Sequence, residues 1–192
     1  MTGPERYPDD PADEFPAPPR TVEDAEGRAI ELRAYDDSED DRAALEAMYE
    51  AFDPADRAQG IPPSRPAKLA EWLDRILQTN CCNVFAWDGD EVVGHATLVP
   101  ENGPESPYEL AIFVLQSHQG VGIGTALIES ILGHGAARGI SKVWLTVERW
   151  NRPAVGLYQK IGFETTDAES FELEMAIRLD AADAAAQTES TG

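Results

Sequence analysis

The stretch HQGVGIGTALIES, residues 118–130, places three glycines in five positions and then passes straight into an apolar helical pattern. Glycine inside a helix costs about 1 kcal/mol relative to alanine, so Gly120, Gly122 and Gly124 need a cause other than helix formation. The first turn of a helix carries unpaired N–H groups and a partial positive charge, which suits phosphate. An apolar run, YELAIFVL (108–115), leads into the loop. The chain therefore reads here as strand, phosphate-binding loop and helix.

The elements on either side fit an α/β sheet. AIELRAY (29–35) alternates as a strand does. SEDDRAALEAMYEAF (38–52) opens on a serine cap and an acidic turn, then sets Ala44, Leu45, Met48 and Phe52 at helical spacing. Residues 53–66 form a loop with four prolines, and Leu69, Trp72, Leu73, Ile76 and Leu77 mark a second helix. CNVFAWDGDEVVGHATLVP (82–100) reads as a hairpin turning at Asp88, Gly89 and Asp90. The helix after the glycine loop runs about 15 residues, to Arg138 and Gly139, where the glycine can act as a C-cap. A strand (142–148), a short helix with Pro153 near its start and Gly162 past its end, and a hairpin (163–179) complete the order β-α-α-β-β-β-α-β-α-β-β. Residues 1–27, rich in Pro, Asp and Glu, read as a disordered arm, and 180–192 as a flexible tail.

Two common phosphate loops do not fit residues 118–125. A P-loop requires a lysine that this loop lacks. A G-x-G-x-x-G fingerprint would need glycine at Thr125 or Leu127. What stands is VLQSHQGVGIG, from Val114 through Gln119, Gly122 and Gly124. It resembles the acyl-CoA motif of the GNAT superfamily of N-acetyltransferases, V-x-P-x-x-[RQ]-G-x-G-[IV]-G, with Gln116 in place of the common proline. Downstream, VERWNRPAVGLYQKIGF (147–163) is similar to a second family pattern, V-x-x-x-N-x-x-A-x-x-L-Y-x-x-x-G-F, at every fixed position.

The resemblance spans about residues 29–179 and implies a mixed, mostly antiparallel sheet splayed around an acyl-CoA slot. It implies that the backbone of Gln119, Gly120, Val121, Gly122, Ile123, Gly124 and Thr125 wraps the pyrophosphate of acetyl-CoA. The pantetheine arm would pair with backbone near Val114, as an added strand does. Asn151 would hold this arm, cap the next helix, or do both. Tyr158 is the implied proton donor to the departing thiolate. A lysine-like amine is neutral in only about one molecule in 2,500 at pH 7, so a positioned base matters. Glu109 is the first candidate and Glu148 the second, with His118 and His95 behind them. The acceptor side is implied to involve the first two helices and their loop, with Arg57, Gln59, Arg65 and Trp72. The implied function is acetyl transfer from acetyl-CoA to a primary amine of a small molecule, peptide or protein. A non-catalytic acyl-CoA sensor is the alternative.

Composition sets the surroundings. The formal charge is −21; residues 1–27 hold −6 and 180–192 hold −3, leaving −12 on 28–179. With three lysines against twelve arginines, this resembles the cytoplasmic proteins of salt-accumulating halophilic archaea. In molar salt the Debye length is about 3 Å, and such self-repulsion is screened. The charge argues against nucleic acid and anionic membranes as partners. No apolar run approaches the roughly 18 residues of a membrane span, and the first residues lack the pattern of a signal peptide, so cytoplasmic residence is expected. Cys81 and Cys82, adjacent and without a second pair, read as structural, and no metal is expected. A homodimer is left open.

Overall fold

The computed structural model describes residues 3–57, 61–103, 106–168 and 171–181. Most of the expected tail, and Gln59 of the expected acceptor loop, lie outside the described residues. Eight strands form one sheet in the order β1-β2-β3-β4-β5-β6-β8-β7. They are β1 (Arg20–Glu23), β2 (Ala29–Ala34), β3 (Cys82–Asp88), β4 (Glu91–Pro100), β5 (Tyr108–Val114), β6 (Lys142–Glu148), β7 (Glu164–Ala168) and β8 (Glu172–Arg178). All neighbours are antiparallel except β5 and β6. The helices are α1 (Glu39–Glu50), α2 (Pro66–Ile76), α3 (Ile123–Ala137) and α4 (Arg152–Ile161). The mixed, mostly antiparallel sheet and the element order expected for 29–179 are both present.

Local signals set the helix ends. Ser38 accepts from the Asp41 amide and three acids fill the first turn of α1. Pro66 opens α2, and Gly162, at φ +125°, ends α4. Two cores result. On one face α3 covers β2–β6 and β8 with residues such as Ile128, Ile131, Leu145 and Ile177; on the other, α1 and α2 bury Tyr49, Trp72 and Leu73 against Phe85 and Trp87.

The second core contains one polar chain whose protons can be assigned. Asn83 Nδ2 donates to the Ile76 carbonyl at 2.8 Å, so its Oδ1 accepts from His95 Nε2 at 2.8 Å. That leaves His95 Nδ1 to accept the Tyr49 hydroxyl at 2.6 Å. Burial pushes the His95 pKa down to about 3, so the ring stays neutral. His95 is thus a structural residue.

The first 27 residues differ most from expectation. In place of a disordered arm, the described residues 3–27 wrap the domain. β1 pairs with β2, and Arg20 meets Glu129 of α3 at 3.2 Å. The backbone of residues 15–17 lies so close to α3 that a Cβ on Gly133 would come within 2.7 Å of it. Ala12 N donates to the Arg178 carbonyl and Arg178 Nη1 to the Asp9 carbonyl, each at 2.8 Å. These anchors are strand pairing, an ion pair, hydrogen bonds and one glycine contact, none of which requires an apolar periodicity in the arm. They also explain why α3 has buried residues all round and not on a single stripe.

Candidate functional site

β5 and β6 pair only at Tyr108 with Val143 and at Glu109 with Trp144. Beyond that point β5 keeps β4 as its partner up to Val114, while β6 keeps β8 up to Glu148. The facing edges of β5 and β6 therefore part and leave a slot with unpaired backbone along β5. At the wide end of this slot stand the glycine loop and the first turn of α3.

Two of the three glycines are fixed by backbone conformation. Gly120 (φ +72°) and Gly122 (φ +98°) are left-handed, and a Cβ on either would meet nothing within 4 Å. The side-chain-free space in front of them is therefore open. Gly122 is the N-cap of α3 and supplies no side-chain cap, so the amides of Ile123, Gly124 and Thr125 face that space without one. Val121 O accepts from Ala25 N at 2.9 Å, so the turn between β1 and β2 braces the loop from behind. That turn is itself held by the buried Asp24, which accepts from the amides of Glu26 and Arg28 and from Arg28 Nε. Gln119 Nε2 donates to Val114 O at 3.0 Å and to Asp56 Oδ2 at 3.1 Å. One side chain thus joins the end of β5, the glycine loop and the connection between α1 and α2. Uncapped amides in open space beside an unpaired sheet edge suit a pyrophosphate followed by an amide-bearing arm.

The other candidates are spread around the slot. Asn151 caps α4, its Oδ1 accepting from Ala154 N at 3.4 Å. Tyr158 packs edge-on against Phe163 with ring centres 5.7 Å apart, and burial pushes its phenol up to about 12. Glu109 stands where the strands part, on the face opposite α3. The residue is exposed overall, yet partial desolvation of its carboxyl and the nearby Glu101 raise its pKa above the ordinary value. Glu148 ends β6, directly opposite Glu172 of β8.

Three sequence candidates lie elsewhere. His95 is sealed in the core, as described. His118 Nε2 is bound to Asp88 Oδ2 at 3.0 Å and its Nδ1 to Ser117 at 2.8 Å, behind the glycine loop. Trp72 is 7% exposed and packs edge-on against Tyr49 and Phe113 in the second core. Sequence reasoning missed Asp56, Asp24 and Trp144, none of which belongs to a motif. Among the described residues no group of three or more His, Cys, Asp or Glu could hold a metal ion. Cys81 and Cys82 are buried free thiols, the latter pushed up to about 11 by burial.

Known proteins are similar to this chain in sequence or in fold. A mycothiol acetyltransferase of Corynebacterium glutamicum is 35% identical over 128 residues, covering 66% of this chain and 41% of the relative. Another, of Geodermatophilus obscurus, is 32% identical over 142 residues, covering 70% and 44%. The chain spans less than half the length of these relatives. Among solved structures, the GNAT domain of S. lividans PAT has a TM-score of 0.71 at 21% identity, covering 83% of this chain and 96% of that one. Spermidine N-acetyltransferase of Vibrio cholerae, in a dodecameric structure, has a TM-score of 0.62 at 21% identity, covering 79% and 94%. At such identity the likeness is one of fold. Residues 45–163, more than half of the chain and including the glycine loop, the slot and Tyr158, match the model of the acetyltransferase (GNAT) family, and the chain belongs to that family.

Proposed function

We propose that this chain moves an acetyl group from acetyl-CoA to a primary amine of a small molecule, peptide or protein. The observation that carries this reading is the slot between β5 and β6, which runs from Glu109 to the open glycine loop. In this reading the amides of residues 120–125 hold the pyrophosphate, and the free edge of β5 to Val114 pairs with the pantetheine arm. The Asn151 amide nitrogen donates to the same arm while its oxygen caps α4.

The acceptor nitrogen forms a C–N bond to the thioester carbon as the C–S bond breaks. Glu109 takes the proton that the nitrogen gives up, directly or through water. Tyr158 donates a hydrogen bond to the departing thiolate. With its phenol at about 12, it lies well above a thiol near 8.5, so it stabilises the thiolate more than it protonates it. The working environment proposed is a salt-rich cytoplasm, from the −21 charge.

The test is release of free thiol from acetyl-CoA in molar KCl against a panel of primary amines. At least one amine should accelerate release above the amine-free rate. Acetyl-CoA binding with no acceleration by any amine would replace the enzyme with a non-catalytic sensor.

A further inference from the structure

The face of the sheet turned away from α3 carries a second occupant. Val143, Leu145 and Val147 point into the α3 core, so by alternation Lys142, Trp144 and Thr146 point to the opposite face. There, residues 3–7 of the same chain lie across the point where β5 and β6 part. A Cβ on Gly3 would stand 2.6 Å from Glu101 Oε1 and 2.7 Å from Trp144 Nε1. Pro4 is buried, Trp144 is 1% exposed, and Tyr7 places its ring 5.3 Å from Lys142 Nζ. A cleft of about 470 Å³ remains between this segment and Thr166, Asp167 and Glu174.

The fit is close in shape but poor in hydrogen bonds. Trp144 Nε1, Glu101 Oε1 and Tyr7 Oη are all buried and, among the described residues, have no hydrogen-bond partner. A donor and a carboxylate acceptor thus lie within 2.7 Å of one point, and neither is satisfied. Buried polar groups are normally paired, because leaving one unpaired forfeits its hydration. An occupant that gives way need not satisfy them. The missing partner must give an N–H to Glu101 and a carbonyl oxygen to Trp144, with no room for a large side chain between. The first residue of a peptide does this, with its α-ammonium and its first carbonyl.

We propose that this groove is the acceptor subsite, that it takes an extended peptide with a free α-amine and a small first residue over Trp144, and that residues 3–7 fill it until such a peptide displaces them. The proposal rests on the acetyl-transfer reading for the fate of the amine, but the binding it describes does not. An α-amine is neutral in roughly one molecule in ten at pH 7, so it places a light demand on a solvent-open base such as Glu109.

The test uses the full chain and a peptide GPERYPDD labelled at its carboxyl end. Gly3→Leu puts a side chain where Glu101 and Trp144 leave no space, and should expel the segment. The variant should then bind the peptide at least tenfold more tightly than the unaltered chain by fluorescence anisotropy, with acetyl-CoA affinity unchanged. Adding Trp144→Phe to the variant should weaken the peptide again, since the indole donor is gone. If Gly3→Leu does not fold, Tyr7→Asp, which sets a carboxylate near Glu101 and Glu174, should have the same effect. Equal peptide affinity with and without these substitutions, or none in any chain, overturns the proposal. Tight binding with no acetylation of the peptide or of any other amine would keep the groove and remove the acetyl-transfer reading. Turnover of other amines without peptide binding would do the reverse.

Discussion

Glu109 of β5 and Trp144 of β6 face each other at the last paired position of two parallel strands, and the slot opens beyond them. The pair marks the narrow end of the slot. The left-handed glycines at 120 and 122 mark the wide end. The length of β5 between these ends is the edge available to an extended, amide-bearing arm.

Gly122→Val should weaken acetyl-CoA binding at least tenfold. At φ +98° a β-branched residue is strained, and relief would redirect the amides of the first turn of α3. Titration calorimetry on the folded variant checks this. Unchanged affinity would remove the loop from the donor site.

Tyr158→Phe should lower turnover by about 10²-fold and leave acetyl-CoA affinity nearly unaltered, since only the hydroxyl is lost. With the phenol at about 12, the donor stays protonated throughout the assay range. It should therefore add no falling limb to the rate between roughly pH 7 and 10. Loss of affinity without loss of turnover would reduce the tyrosine to packing against Phe163.

Glu109→Gln should lower turnover at neutral pH by about 10²-fold, with partial recovery as pH rises toward 10 and neutral amine becomes abundant. The Glu109 carboxyl is raised in the folded protein, so the folded state holds its proton more tightly than the unfolded chain. Its stabilising effect is present at low pH and is lost as pH climbs through the folded pKa. The variant should thus melt no lower than the parent at neutral pH. If Glu148→Gln shows the loss instead, the base is at the end of β6. If neither does, the acceptor binds already neutral.

Tyr49→Phe should cost about 1–3 kcal/mol in denaturant unfolding, because it leaves His95 Nδ1 buried without a donor. His95 itself should show no titration between pH 5 and 8 by NMR, since burial keeps it neutral down to about 3. The unfolded ring takes a proton near 6.5, so this residue favours folding fully above that pH and progressively less as pH falls toward 3. His95 titrating near 6.5 in the folded protein would mean the core chain is open to water.

Melting temperature should climb steeply between about 0.1 and 2 M KCl, as screening relieves a charge of −21. A flat profile would remove the salt-rich setting and leave the acetyl-transfer reading untouched.

Much of this molecule was legible before any coordinates. The serine cap of α1, the apolar stripe of α2 and the turn at Asp88 and Gly89 are local features, and each element stands where its own residues put it. The two motifs located the glycine loop, Asn151 and Tyr158, because backbone conformation and helix capping depend on adjacent residues. The arm was not legible. Its composition is that of a disordered segment, and its anchors at Arg178, Gly133 and Trp144 lie more than a hundred residues away.

The sequence by itself determined the order of elements, the loop for a phosphate and the family pattern on which the chemistry rests. Only the tertiary structure decided which candidates share a site. It enclosed His95 in a core and tied His118 to Asp88, left Glu109 at the narrow end of the slot, and laid residues 3–7 over Trp144. The reason is physical. Caps, turns and periodicity are set by neighbours along the chain, whereas burial and the satisfaction of a polar atom depend on what the folded chain brings against it from far away.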